Sequence, residues 1–376
     1  MRAVHLSALG ILTFAASIAN AQFTLVPVSH TPATSGAAEI SAFDPAGSRL
    51  FTTAGSRLDV YRFDAGRLTP DGSIDCSNLF ESAESISSVA IDPAGRGFGA
   101  AAVIPEHNDT EPGKVLLFAT ADLRPLRALP VGFNPDMVAF APDGSRLYIA
   151  NEGEPGPDED PPGSLSVIDL TGVREAATVA LIDAPSVEAV TFEPRYLAPG
   201  VGFEGVRIDP AAPSPEADLE PEYLAPDEDG VWVSLQENNA LARYDAGRGL
   251  WTRVHPLGGI VQTIDASDRD GGIHIDAPVF GLFMPDSIAS YTAGGERYIL
   301  TANEGDRRGH DEVRFADAPI DPTVKVLLDF AFGDSAADAA LGRLTISSLG
   351  GDRDGDGGHE PGAYTQLKLP TNLRLV

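Results

Sequence analysis

The chain reads as an all-β protein, a β-propeller built from four-stranded blades of about 40–50 residues each. Three observations predict it. Short apolar runs with strand-like composition recur, separated by Asp-Pro-Ala-Gly or Pro-Asp-Gly turns. The units repeat at a fixed step, 48 residues from Ser41 to Val89 and 48 again from Val89 to Met137. Helical periodicity is scarce, the best candidate being a short stretch at 335–341 within 321–341.

The elements follow in order. Residues 1–21 have the form of a secretory signal, with Arg2 at the start, an apolar run over 6–18 and the small-x-small site Ala19-Asn20-Ala21. Cleavage is expected near Ala21, giving a secreted protein that is extracellular, periplasmic or on the cell surface. The apolar run is too short to span a membrane and no other uncharged stretch approaches it. Residues 22–38 are an extended lead-in. The first unit has strands at 40–43, 50–53 and 58–63 around the Asp44-Pro45-Ala46-Gly47 turn. The second has 89–91, 100–104 and 115–118 around Asp92-Pro93-Ala94-Gly95. The third pairs 137–141 with 147–150 across Pro142-Asp143-Gly144 and adds 164–169. The proline-rich segment 172–220 reads as an insertion or a degenerate blade. A fourth unit covers 223–245, 259–278 reads as a loop, and a fifth unit starts at Ser287.

Acidic residues mark both ends of three hairpins. Asp136 and Glu152 are 16 positions apart, Glu222 and Glu237 are 15, and Asp286 and Glu304 are 18. A hairpin returns the chain to where it began, so each pair lies at one end of its sheet. In a ring of blades these ends converge on one rim of a central channel. Crowded carboxylates repel and raise each other's pKa unless a cation or an arginine relieves them. Arg269, Arg297, Arg307 and Arg314 are near enough in sequence to serve. A second candidate is the loop containing Asp352, Asp354, Asp356 and Glu360, where alternate aspartates and Gly357 resemble a calcium loop without the glutamate an EF-hand needs at its twelfth position. A solvated Asp/Gly turn is the competing reading. Asp265, Asp268 and Asp270 form a second Asp/Gly loop, for which a plain turn is preferred. Ca2+ is the expected cofactor.

The net charge of −29 excludes nucleic acid and anionic surfaces as partners. Cys76 is the only cysteine, so stability rests on a core rather than on disulfides. The seven histidines are isolated, and no zinc spacing, nucleophile elbow or phosphate loop occurs. A monomer is expected.

Several stretches resemble the choice-of-anchor I family, which includes proteins named mesenchyme-specific cell surface glycoprotein. They are 135–155, 220–240 with Gln236-Glu237-Asn238-Asn239-Ala240, 257–275 with its Asp-rich run, and 284–306. The resemblance covers most of 38–360 and implies a secreted or surface-attached propeller similar to the YVTN type. Some relatives carry the label alkaline phosphatase. Relatives continue with further blade strands, whereas 362–376 departs from their pattern, so the propeller, over 39–361, is expected to be incomplete at the C-terminus. The functional expectation is a Ca2+-stabilised interaction module for an extracellular protein, glycan or phosphate ester. The alternative is a metal-dependent phosphomonoesterase with its metals on the channel rim.

Overall fold

A computed structural model describes residues 38–348 together with Pro27 and Ser29, apart from 78–82, 158, 181, 183–186, 268–270, 306–307, 309–310 and 323–340. The signal segment, most of the lead-in, most of the 335–341 helix candidate and the Asp352–Glu360 loop lie outside the described residues.

Four antiparallel four-stranded sheets follow one another along the chain. The first holds β1 (Ser41–Asp44), β2 (Arg49–Ala54), β3 (Arg57–Asp64) and β4 (Arg67–Asp75). The second holds β5 (Ala83–Ile91), β6 (Phe98–Pro105), β7 (Lys114–Ala119) and β8 (Pro125–Pro130). The third holds β9 (Pro135–Phe140), β10 (Arg146–Asn151), β11 (Ser164–Asp169) and β12 (Val187–Val190). The fourth holds β13 (Pro221–Pro226), β14 (Gly230–Leu235), β15 (Ala240–Asp245) and β16 (Leu250–Pro256). Three two-stranded ladders follow: β17 (Gly259–Ile264) with β18 (Ala277–Leu282), β19 (Pro285–Ala293) with β20 (Glu296–Asn303), and β21 (Glu312–Arg314) with β22 (Thr345–Ser347). A short helix, α1 (Ala176–Val179), is a single turn.

The first strand of each sheet is its inner edge. β1 lies beside β5, β5 beside β9, β9 beside β13 and β13 beside β19. Sheets arranged with their first strands side by side form a β-propeller, as the 48-residue step predicts.

Alternation along each strand explains why the sheets stack. Leu147 and Ile149 point into a core shared with the second sheet, alongside Phe98, Val115 and Leu117. Their neighbours Tyr148 and Ala150 point the other way, into a core shared with Val231, Val233, Tyr244 and Trp251 of the fourth sheet. Likewise Leu116 and Phe118 face the first sheet while Val115 and Leu117 face the third. Successive side chains of a strand project to opposite faces, so a sheet with two apolar faces requires a neighbour on each. Arginine ties the second and third sheets further. Arg96 pairs with Asp92 at 2.7 Å and donates to the carbonyls of Gly144 at 2.6 Å, Leu170 at 3.2 Å and Val173 at 3.1 Å.

Two sequence expectations change. Residues 259–278, read as a loop, contain β17 and the start of β18, paired from Gly259 with Leu282 to Ile264 with Ala277. Ile260, Val261, Thr263 and Ile264 supply the β-branched composition a strand favours, and the Asp/Gly run is only the connection. Residues 172–220 contain β12, which completes the third sheet; the remainder from 191 to 220 crosses with two short 3-10 turns and no strand. Cys76 is fully buried in the first core, and burial pushes its thiol up to about 12, which keeps it unreactive.

The seam between the third and fourth sheets carries the densest aromatic packing. Phe192 stacks on Trp251 with centroids 4.4 Å apart, Tyr244 meets Trp251 edge-on at 5.7 Å, and the Trp251 indole donates to the Thr191 carbonyl at 3.0 Å. Trp251→Ala is expected to destabilise the fold by about 3–5 kcal/mol, read as a lower midpoint in urea unfolding; a midpoint unchanged from wild type would refute the role given to this seam.

Candidate metal centre

The inner rim is built by the same local device in successive sheets. In the third, Pro135 pairs with Asn151 and Met137 with Ala150, leaving Asp136 as an extra residue in the ladder. In the ladder of β19 and β20, Pro285 pairs with Asn303 and Ser287 with Ala302, so Asp286 is the extra residue. In the fourth, the shift between Pro221 and Leu224 takes in Glu222. A bulge bends the strand and re-aims the side chain it displaces. Glu84 occupies the same ladder position in the second sheet, between Ala83 and Ser85, and the sequence reading overlooked it. The second strand in three of these hairpins then delivers a glutamate: Glu152 just after β10, Glu237 just after β14 and Glu304 just after β20.

Glu152, Glu222 and Glu237 come together. One carboxylate oxygen from each lies within 4.8 Å of the others. Glu222 and Glu237 are buried and Glu152 is half-buried. Asp136 and Asp286 stand close enough to act electrostatically: Asp286 and Glu237 both raise Asp136, and Asp136 raises both Glu152 and Glu222. Glu304 is exposed, outside the three-carboxylate group. Asp265 is exposed at the end of β17, while Asp268 and Asp270 lie outside the described residues.

Burial is the first cause of the shifts in this group. It pushes Asp136 up to about 7, with repulsion from Asp286 and then Glu237 adding to it. Burial also drives Glu152 and Glu222 well above the carboxylate range, with Glu237 the next contributor to each; a hydrogen bond with Glu237 further favours the protonated form of Glu222. With these groups ionised, Glu237 Oε2 is buried with no hydrogen-bond partner.

Of the four arginines the sequence suggested, Arg269 and Arg307 lie outside the described residues, and the other two are engaged elsewhere. Arg297 pairs with Asp227 at 2.6 Å, and Arg314 donates to the Arg343 carbonyl. Arg207 instead donates to the Glu237 backbone carbonyl at 2.8 Å and pairs with Asp311. Arg308 pairs with Asp218 at 2.6 Å and Glu220 at 2.9 Å. Glu220 is raised first by burial and then by Glu237, with Arg308 opposing. These two guanidinium groups hold Asp311, Asp218 and Glu220, three carboxylates for two charges, and among the described residues no guanidinium or ammonium pairs with Glu152, Glu222 or Glu237.

A hard divalent cation fits that group. The donors are all carboxylate oxygens, two of the three side chains are buried, and one oxygen lacks any donor from the protein. Nitrogen and sulfur donors, which would favour zinc, are absent from it.

These features define a β-propeller with a carboxylate-lined inner rim. The chain belongs to the choice-of-anchor I family, whose domain matches residues 39–365. Among solved structures it is similar to hydrazine synthase from Kuenenia stuttgartiensis, at 13% identity and a TM-score of 0.34 over 71% of this chain and 80% of that one. It is also similar to a functionally unknown protein from Desulfotomaculum acetoxidans, at 13% identity and a TM-score of 0.37 over 73% and 63%. No curated protein matches the chain.

The raised pKa values fix the sign of a pH effect. A carboxyl whose folded pKa exceeds its unfolded one holds its proton more tightly in the folded state, so stability is greatest below the unfolded pKa and is lost as pH rises through the folded value. For Asp136 that window runs from its ordinary 3.8 to about 7. In chelator, the melting temperature should therefore fall as pH is raised across this window. Glu222→Gln, which removes one buried charge, should raise the chelated protein's stability at pH 8 by about 1 kcal/mol. A flat pH profile together with a destabilised Glu222→Gln would contradict the electrostatic account.

Proposed function

We propose that the protein is an extracellular or cell-surface interaction module whose propeller is stabilised by Ca2+ held at Glu152, Glu222 and Glu237. The buried, unpartnered Oε2 of Glu237 carries the cation part of this reading. Burying an ionised oxygen without a partner is costly, and a divalent cation removes the cost for all three carboxylates at once. Asp136, on the neighbouring bulge, acts electrostatically on both Glu152 and Glu222 and is a further acid able to contribute. Ca2+ takes six to eight oxygens in flexible geometry, so backbone carbonyls and water would complete the shell.

The module part rests on family membership and on the form of the chain. No helix among the described residues is long and apolar enough to cross a membrane. The acidic surface suits a basic protein partner or one bridged by Ca2+, and disfavours nucleic acid. The fold offers its partner the strand-end loops surrounding the inner rim.

Calorimetric titration of the chelated protein tests the cation. The expected dissociation constant is in the range of about 10⁻⁴–10⁻³ M known for extracellular calcium modules. A tenfold excess of free Ca2+ over that constant then adds about 1.4 kcal/mol of stability, visible as a higher melting temperature. Glu237→Gln should abolish both signals. Neither heat nor a melting shift with Ca2+ would end this reading. A metal-dependent phosphomonoesterase would use the same carboxylates, and turnover of an aryl phosphate abolished by Glu237→Gln would replace the module reading with that one.

A further inference from the structure

Three hairpins end in the same way, yet only one glutamate that follows a third- or fifth-unit second strand is gathered into the cluster. Glu152 is in it and Glu304 is not. Their immediate surroundings are alike. Each follows an asparagine, Asn151 or Asn303, and precedes a glycine in the left-handed region, Gly153 at φ 69° or Gly305 at φ 77°. Each of those glycines donates its N–H to the residue, or next to the residue, that precedes the opening proline. Gly153 donates to the Phe133 carbonyl at 3.2 Å and Gly305 to the Met284 carbonyl at 3.4 Å. Even the residue before that proline matches in conformation: Asn134 has φ 45° and Met284 has φ 40°.

The side chain at that position is what differs. Asn134 is buried at 7% exposure, and it grips Glu152 at two points. Its carbonyl accepts from the Glu152 backbone N–H at 3.0 Å, and its amide Nδ2 donates to Glu152 Oε2 at 2.7 Å. Its own Oδ1 is fixed in turn by Asn108 Nδ2 at 3.1 Å. With that acceptor occupied, Asn134 has only its amide N–H groups to turn toward Glu152. One oxygen of the Glu152 carboxylate is thereby pinned, and the orientation of the other is set. Met284 has no amide to do this for Glu304.

We infer that Asn134 is a positioning residue for the cation seat: it holds Glu152 in the orientation in which the carboxylate can meet Glu222 and Glu237. This rests on the cation reading above and adds the group that makes the third unit differ from the fifth. Outer hydrogen bonds of this kind orient a metal's carboxylate ligands, and their loss weakens metal binding by about 10- to 100-fold.

A double-mutant cycle on the full chain, read by Ca2+ titration, tests it. Asn134→Gly suits the position because glycine takes a φ of 45° without strain. It should weaken Ca2+ binding by about 10- to 100-fold. In a Glu152→Gln background the same change should weaken binding no further, because Asn134 acts only through Glu152. A purely structural role would lower affinity equally in both backgrounds. Asn134→Met, which places the fifth unit's residue in the third, gives the same readout if the glycine variant fails to fold. Equal losses in both backgrounds, or unchanged affinity in either variant, would overturn the role of Asn134 while leaving the cation site standing. A wild-type chain that binds no Ca2+ would overturn both.

Discussion

The second, third and fourth sheets of this molecule are apolar on both faces, and none of them can stand without a neighbour on each side. That constraint orders the rest. Leu147 and Tyr148 are adjacent in sequence and belong to different cores. The sheets must therefore be stacked face to face around an axis, with the first strands innermost. Once that is fixed, the ends of the inner hairpins have nowhere to go but the rim of the axis.

The repeat then acts on charge. A sequence position that recurs in each unit is carried to the same radius in each sheet, so an acid at that position in several units becomes a group of acids. Asp136, Glu222 and Asp286 arrive by the same bulge, and Glu152 and Glu237 by the same strand end. Burial and repulsion within the group then raise the proton affinity of Asp136, Glu152 and Glu222. The two nearby arginines are taken up by Asp218, Glu220 and Asp311, which join the 191–220 crossing and the segment after β20 to the fourth sheet. The proposed cation would balance the charge that these pairs leave on Glu152, Glu222 and Glu237.

Much of this was legible in the sequence because its causes are local. Turn chemistry and two-residue alternation mark the hairpins, and the 48-residue step marks the ring. Hairpin geometry alone brings the strand ends that carry Glu152, Glu222 and Glu237 to the rim. What escaped depends on contacts between distant parts of the chain. Arg308 meets Glu220 across 88 positions, and no nearby spacing announces it. Arg297, close to the rim in sequence, is drawn to Asp227 at the opposite end of its strand. Glu304 looked equivalent to Glu152 because the hairpin ends match; the difference lies in a side chain across the ladder, Asn134 against Met284. The β17–β18 ladder was hidden by the Asp/Gly run inside it, a strong loop signal that masked β-branched residues on one side.

The seam between the third and fourth sheets is held very differently at its two ends. At the outer edge, the residues after β12 and on β16 bring Phe192 and Trp251 into a stack that water does not enter. At the inner edge, Glu152 faces Glu222 and Glu237 in mutual opposition. The joint is thus held together at its outer edge and opposed at its hub. The proposed Ca2+, bound at the hub, would act on the end of this seam opposite the aromatic stack.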